Sequence, residues 1–346
     1  MTAWWRPLES LPSKRGDDMR RILITGGAGF IASHLTERFL ALGDKVVAID
    51  NFNDFYNPAL KRSNVKAFLA DPAHQDSYRL VEGDIRDAHA LDEAFSGGPF
   101  DVVIHLAAMA GVRPSLESPA YYFDVNVNGT QRLVDRIVPN ADRTRLVFAS
   151  SSSVYGERGG EAFKETDRVT EPISPYAASK AANELQLYAC HHATGLKVVC
   201  LRFFTVFGPR QRPDLAIHKF CHLIDEGKPV ELFGDGSSRR DYTYVGDIVK
   251  GIESAMTYDF AGYDIINLGR SEPVLLLDMV RSLEKHLGKK ADLVFKPMQV
   301  GDVPYTYADI SHAREVLGYS PATSFDEGVG HFVDWYRKQK AFSLTS

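Results

Sequence analysis

The chain has 346 residues, 44% hydrophobic and 25% charged, the profile of an ordinary soluble globular protein long enough for a large core. A formal net charge of −5 gives no basic footprint for nucleic acid or an anionic membrane surface. No apolar run approaches the roughly eighteen residues that span a bilayer, and Cys190, Cys200 and Cys221 have neither metal-ligand nor disulfide-framework spacing. No metal site is expected, and a reducing cytoplasm is the simplest compartment.

Met1 to Asp18 has tryptophans and prolines but no apolar signal core, so residues 1–19 are set apart as an extension ahead of the fold. From Arg21, short apolar runs alternate with helical patterns. Strands are expected over 21–25, 45–50, 79–81, 102–105, 145–150 and 198–202, and helices over 30–42, 120–138 and 175–194. Such alternation predicts an α/β fold, a Rossmann-like doubly wound parallel sheet. The turn after the first strand, Gly26 to Ala32, has the spacing G-x-x-G-x-x-A. Small residues there let a pyrophosphate approach a helix N-terminus, which makes Gly26, Gly29, Phe30 and Ile31 candidates for cofactor binding. Asp50, followed by Asn51, closes the second strand. An acid at that place accepts hydrogen bonds from a ribose 2′-hydroxyl and repels a 2′-phosphate, favouring NAD over NADP. Asp84 and Ile85 follow the third strand as candidates for the adenine edge. Leu106, Ala107 and Ala108 end the fourth with small residues against which a cofactor can lie. Phe52–Tyr56 reads as packing rather than a stacking platform.

Ala149 to Gly156 reads Ala-Ser-Ser-Ser-Ser-Val-Tyr-Gly, a hydroxyl cluster ending an apolar run. Ser174 is a good helix N-cap and Pro175 suits the first helical position. Tyr176 and Lys180, four apart, then share one helix face. Beyond Gly208 the alternation fails. A helix is expected over 215–226, a strand over 229–233, a turn over 234–238, and closing helices over 309–317 and 325–336 with Trp335 and Tyr336 inward. Residues 20–208 thus form the dinucleotide domain. Residues 209–340 form mainly a smaller C-terminal α/β lobe for the substrate, some of whose strands and helices return to the first domain.

From about Arg20 to Tyr336 the chain resembles the extended short-chain dehydrogenase/reductases, and within them the nucleotide-sugar epimerases. The residues that carry the resemblance are Thr25–Ala32, Asp50-Asn51, Asp84-Ile85, His105–Ala108, Asn126–Thr130, Ser150–Gly156, Tyr176–Lys180 and Leu201–Pro209. The resemblance implies NAD as cofactor and adds Asn126 and Phe203 to the residues that bind it. It makes Tyr176 the general acid/base and Lys180 the group that binds the nicotinamide ribose and stabilises the phenolate. Ser151 becomes the hydroxyl on the reacting sugar oxygen. A free phenol, with a pKa of about 10, is a poor base at neutral pH, and a neighbouring ammonium favours its anion.

Related 4,6-dehydratases carry Asp-Glu directly after the hydroxyl residue, and related UDP-glucuronate decarboxylases carry Glu just before Val-Tyr-Gly. This chain has Ser152 and Ser153 in those places, which argues for a 4-epimerase acting on a UDP-sugar. Thr205, the stretch Arg210–Ala216 and Met109–Arg113 look like the UDP-glucuronate 4-epimerases. That likeness implies that Ser151, Ser152, Ser153 and Thr205 surround a C6 carboxylate, with Arg113 and Arg212 near the substrate. It places Arg240 on the diphosphate and Asp302 near the uridine ribose. For Arg240 the alternative is a salt bridge with Asp241 or Asp247. For Thr205 and the serines it is the satisfaction of backbone groups at strand ends. A UDP-glucose/UDP-galactose or N-acetylhexosamine 4-epimerase, a net reductase, and a non-catalytic NAD or nucleotide-sugar binder stay open as other readings. In related proteins the helices over 120–138 and 175–194 form a four-helix bundle, so a homodimer is expected.

Overall fold

Branched apolar runs too short for helices pair side by side and bury both faces, as parallel strands must. The computed structural model describes residues 19–158, 160–260, 262–297 and 304–345. Its first elements are β1 (Arg21–Thr25), α1 (Phe30–Ala41), β2 (Lys45–Asp50), α2 (Pro58–Ala70), β3 (Tyr78–Glu82), α3 (Ala88–Phe95) and β4 (Val102–His105). There follow α4 (Val112–Glu117), α5 (Pro119–Phe123), a π-helical turn (Asp124–Asn128), α6 (Gly129–Ile137), β5 (Arg145–Ser151), a 3₁₀ turn (Ser152–Tyr155), α7 (Pro175–Thr194) and β6 (Lys197–Phe203). The later elements are β7 (Thr205–Phe207), α8 (Ala216–Asp225), β8 (Val230–Phe233), β9 (Arg239–Tyr244), α9 (Val245–Ala255), β10 (Tyr263–Leu268) and β11 (Pro273–Leu275). The last are α10 (Leu276–Leu287), β12 (Leu293–Lys296), α11 (Ser311–Leu317) and α12 (Phe325–Thr345).

A seven-stranded sheet runs β10-β6-β5-β4-β1-β2-β3. The pairs β1–β2, β1–β4, β2–β3 and β4–β5 are parallel, so the strand order turns back between β1 and β4. This is the Rossmann-like, doubly wound sheet, and ligands of such sheets bind at the carboxyl ends of the strands beside that reversal. The core beneath it joins strand residues Leu23, Ile49, Val103 and Phe148 to helix residues Leu91, Leu133 and Leu187, all buried.

The described chain divides into two compact units. One holds the chain up to Gly156, Arg168–Arg202 and Ile252–Ile266; the other holds Glu157–Asp167, Phe203–Gly251 and the chain from Asn267 on. Within the second, a three-stranded sheet runs β11-β9-β7 and a two-stranded one pairs β12 with β8. Trp335 and Tyr336 are buried on α12. Among the described residues no helix is long and apolar enough to cross a membrane, and no group of three or more His, Cys, Asp or Glu could hold a metal.

Two elements differ from the sequence reading. The single helix expected over 120–138 is α5 and α6 joined through the π turn. There the carbonyl of Asn126 accepts from Thr130 Oγ1 and from Asn183 Nδ2 of α7, side-chain bonds that an uninterrupted helical ladder would not require. Such single-turn π segments cluster at functional sites. The last helix runs on to Thr345, beyond the apolar stripe that marked it.

Candidate active site

α7 starts where its sequence says. Ser174 Oγ accepts from the Ala177 N–H at 3.1 Å, Pro175 fills the first turn, and Gly195 closes the helix in the left-handed conformation. Tyr176 and Lys180 lie one turn apart on it. Tyr176 is partly exposed, and its ring meets Tyr122 edge-on at 6.4 Å. Lys180 is buried; its Nζ donates to the Ala149 carbonyl at 2.7 Å and stands 4.6 Å over the Phe148 ring. Burial pulls its pKa down to about 7. One of its three N–H groups is taken by Ala149, leaving two for other acceptors.

Ser151 ends β5 and caps the 3₁₀ turn that follows. Its Oγ accepts from the Ser153 N–H at 3.2 Å and from the Ser153 hydroxyl at 2.9 Å. A hydroxyl has two lone pairs and one proton, so with both lone pairs filled Ser151 can act outward only as a donor. Ser153 in turn has its proton and its N–H directed at Ser151. Of the three partly buried serines, Ser152 keeps its hydroxyl clear of this pair.

The glycine turn forms a cradle at the reversal point of the sheet. Gly26 has φ +67°, and a Cβ there would come within 3.0 Å of the Ala107 amide, so only glycine sits unstrained. Gly29 N-caps α1 without a side-chain cap, leaving the first-turn N–H groups at Phe30 and Ile31 for an anion. Asp50 is buried. Its Oδ2 accepts from the Ala28 N–H at 3.1 Å, and its Oδ1 from the Phe52 N–H at 2.8 Å and Lys61 Nζ at 3.3 Å. One lone pair on Oδ2 is left, enough for one ribose hydroxyl. Asp84 is filled on both oxygens by Arg86 and Asn51, whose hydrogen bonds hold its pKa down at about 2 despite burial. Ile85 is buried beside Gly129. A glycine cradle a Cβ would obstruct, an uncapped helix start and a carboxylate with an open lone pair suit a dinucleotide such as NAD.

Two side chains brace the loop of Leu106, Ala107 and Ala108. Asn126, fully buried, clamps Met109 by accepting from its N–H at 2.8 Å and donating to its carbonyl at 3.0 Å, and it also donates to Ser179 Oγ. Its amide thus faces the loop, and Ser179 carries the chain of bonds to the Tyr176 carbonyl. His105 lies between Thr25 Oγ1 (2.7 Å) and Thr130 Oγ1 (2.8 Å). Thr130 donates to the Asn126 carbonyl, so Nε2 must donate to Thr130 Oγ1. Burial pushes the pKa of the ring down to about 3, and a neutral ring that donates from Nε2 accepts from Thr25 at Nδ1.

The other expected residues lie on other parts of the chain. Arg113 is exposed on α4. Phe203 ends β6 and opens the Phe203–Gly251 segment of the second unit. In that unit Thr205 opens β7 opposite Tyr242 of β9. Arg212 forms a two-pronged pair with Asp214 at 3.0 and 2.7 Å. Arg240 lies on β9 opposite Val274 and donates to the Arg239 carbonyl. Asp241 is occupied by the N–H groups of Arg270, Ser271 and Ala308, and Asp247 by Lys250 and the Thr323 N–H. Asp302 lies outside the described residues.

The sequence reading passed over Lys61, Gly27, His105 and Asn183 as separate participants. It also passed over Glu184, although its place four residues after Lys180 puts it on the same helix face.

Comparison with known proteins bears on the fold and the family. The model of the family described as GDP-mannose 4,6 dehydratase matches residues 23–332. UDP-glucuronate 4-epimerase 1 of Arabidopsis thaliana is 41% identical over 332 residues, 91% of this chain and 76% of that protein. Among solved structures, the UDP-glucuronic acid 4-epimerase of Bacillus cereus in complex with UDP-glucuronic acid and NAD is 34% identical, with a TM-score of 0.84 over 92% of this chain and 99% of that one. The UDP-glucose 4-epimerase of Thermotoga maritima with UDP-glucose is 30% identical, with a TM-score of 0.83 over the same shares.

Proposed function

The chain belongs to the family described as GDP-mannose 4,6 dehydratase, as an epimerase of the extended short-chain dehydrogenase/reductase type, and on that premise we propose that it is an NAD-dependent UDP-sugar 4-epimerase converting UDP-glucuronate and UDP-galacturonate. NAD, when bound, supplies the acceptor and then the donor of the C4 hydride. Tyr176, as phenolate, takes the O4 proton, and Lys180 stabilises that phenolate with an N–H that Ala149 leaves uncommitted. Ser151 donates to the same sugar oxygen, the one role its filled lone pairs leave it. After the 4-keto sugar has turned over, Tyr176 returns the proton to O4 on the other face.

The observation that carries this reading is a serine at both 152 and 153, where dehydration or decarboxylation would call for a carboxylate. Neither position offers a carboxylate to assist elimination across C5 and C6 or loss of the carboxylate. For the uronate, Ser152 supplies a neutral hydroxyl to a C6 carboxylate, which holds it less rigidly than an arginine fork would. Arg240 suits the diphosphate, since a guanidinium matches phosphate oxygens. Leu185 and Tyr188 on α7, exposed at 73% and 55%, support a homodimer through the helices of that face.

Incubation of the purified protein with UDP-glucuronate and no added NAD should yield a mixture of the two uronates. A UDP-pentose as main product would overturn the argument from Ser153. Turnover of UDP-glucose with UDP-glucuronate left unchanged would support the neutral-hexose reading, which the likeness to the Thermotoga maritima enzyme favours. A strict need for added NAD(P)H would mark a net reductase. Tyr176→Phe should retain NAD and lose turnover; an active variant would remove the tyrosine from the mechanism.

A further inference from the structure

Tyr176, Lys180 and Glu184 stand four apart and so line one stripe of α7. The first two are accounted for by proton transfer; the third is a carboxylate, 3% exposed, that the reaction does not use. Lys180 reaches the carbonyl of Ala149, and one turn on Glu184 Oε1 accepts from the hydroxyl of Ser150 at 2.5 Å. Those two β5 residues immediately precede Ser151. Glu184 also makes a two-pronged pair with Arg202 of β6, Nε to Oε1 at 2.9 Å and Nη2 to Oε2 at 2.7 Å, and Arg202 is 1% exposed. The guanidinium in turn lies 4.7 Å over the ring of Tyr155, the last residue of the turn that follows Ser151. The Tyr263 hydroxyl donates to the Glu184 carbonyl and fixes the helix backbone at that level.

The buried pair therefore grips the chain on both sides of Ser151, at the residue before it and at the residue four after it. An ion pair at this depth gives up the hydration of both charges, and apolar replacements of similar volume are often as stable or more so. Stability alone does not account for it. We propose that Glu184, with Arg202 and Ser150, is a positioning device that sets the Ser151 hydroxyl relative to Tyr176 and Lys180 on the helix. This rests on the epimerase reading, in which Ser151 holds the reacting sugar oxygen.

The test is a double-mutant cycle on the full chain with its bound NAD, using whichever UDP-sugar the wild type converts. Ser150→Ala removes one hydrogen bond and leaves the ion pair intact. It should lower kcat about 3- to 10-fold, with KM and bound NAD unchanged and the thermal midpoint lowered no further than the loss of one buried hydrogen bond accounts for. In a Ser151→Ala background the same change should have no further effect, because a group that acts through Ser151 has nothing left to position. A paired Glu184→Leu/Arg202→Met replacement should fold with a midpoint near that of the wild type and lose kcat by about 10-fold or more. Losses by Ser150→Ala and Ser151→Ala that multiply, or full kcat in the paired variant, would overturn the role. If the paired variant fails to fold, the Ser150 cycle decides alone. The wild-type rate in the same series tests the epimerase reading separately. A wild type that converts no UDP-sugar overturns that reading and this role with it, whereas wild-type turnover with multiplying losses overturns the role alone.

Discussion

Ser153→Ala separates two roles that one hydroxyl could have. The Ser153 proton is directed at Ser151 Oγ at 2.9 Å, and the Ser153 N–H reaches the same oxygen at 3.2 Å. Alanine keeps the N–H bond and removes the hydroxyl bond, so Ser151 loses one of two restraints on the direction of its own proton. A neutral hydrogen bond of this kind is worth about 0.5–1.5 kcal/mol net, which corresponds to roughly a 2- to 12-fold loss of rate. Because the defect lies in aiming Ser151, it should fall on kcat, leave KM and NAD content near wild type, and be the same for every UDP-sugar the enzyme converts. Steady-state rates by product separation, with UDP-glucuronate and UDP-glucose run side by side, give the comparison. A rise in KM confined to the uronate would refute the reasoning, since it would mean that the Ser153 hydroxyl is turned to the sugar carboxylate. An unchanged kcat would refute it as well.

Gly27→Ala should destabilise the fold, because its Cβ would stand 2.5 Å from the Cβ of Ala48 and 3.1 Å from the Ile24 carbonyl; overpacking of this kind costs about 1–3 kcal/mol, read as a lowered denaturant midpoint. His105 titrates at about 3 when folded against about 6.5 unfolded, so its contribution is present above pH 6.5 and is lost as pH falls through that window. Wild-type unfolding free energy should drop by about 2 kcal/mol more than that of His105→Asn between pH 7 and pH 5. Lys180 has the same sign in a higher window: its folded value of about 7 lies below about 10.5 unfolded, so the unfolded chain binds more protons in that interval and stability rises with pH. In cofactor-stripped protein the wild type should gain about 2 kcal/mol between pH 7 and pH 9 relative to Lys180→Met. Parallel curves for wild type and variant in either pair would contradict the corresponding burial argument.

Much of the first unit was legible in the sequence because its signals are local. Ser174, Pro175 and Gly195 mark both ends of α7 within a few residues, and Gly26 to Gly29 announces a turn that only small residues can make. The π turn was not legible, because its cause lies in Asn183, 57 residues from the Asn126 carbonyl it binds. The hydrogen bond to Asp84 from Asn51, 33 residues away, was likewise not legible.

By itself the sequence determined the α/β class, the spacing of Tyr176 and Lys180 on one helix face, and the absence of an acid at 152 and 153. Each is a property of residue type and of distance along the chain, which local geometry turns directly into position. Only the tertiary structure decided that Ser153 faces Ser151, that His105 is a neutral ring, and that Glu184 and Arg202 straddle Ser151 from α7 and β6. Those depend on which strand lies beside which, and in a buried site a hydrogen bond belongs to whichever polar group the packing brings within reach.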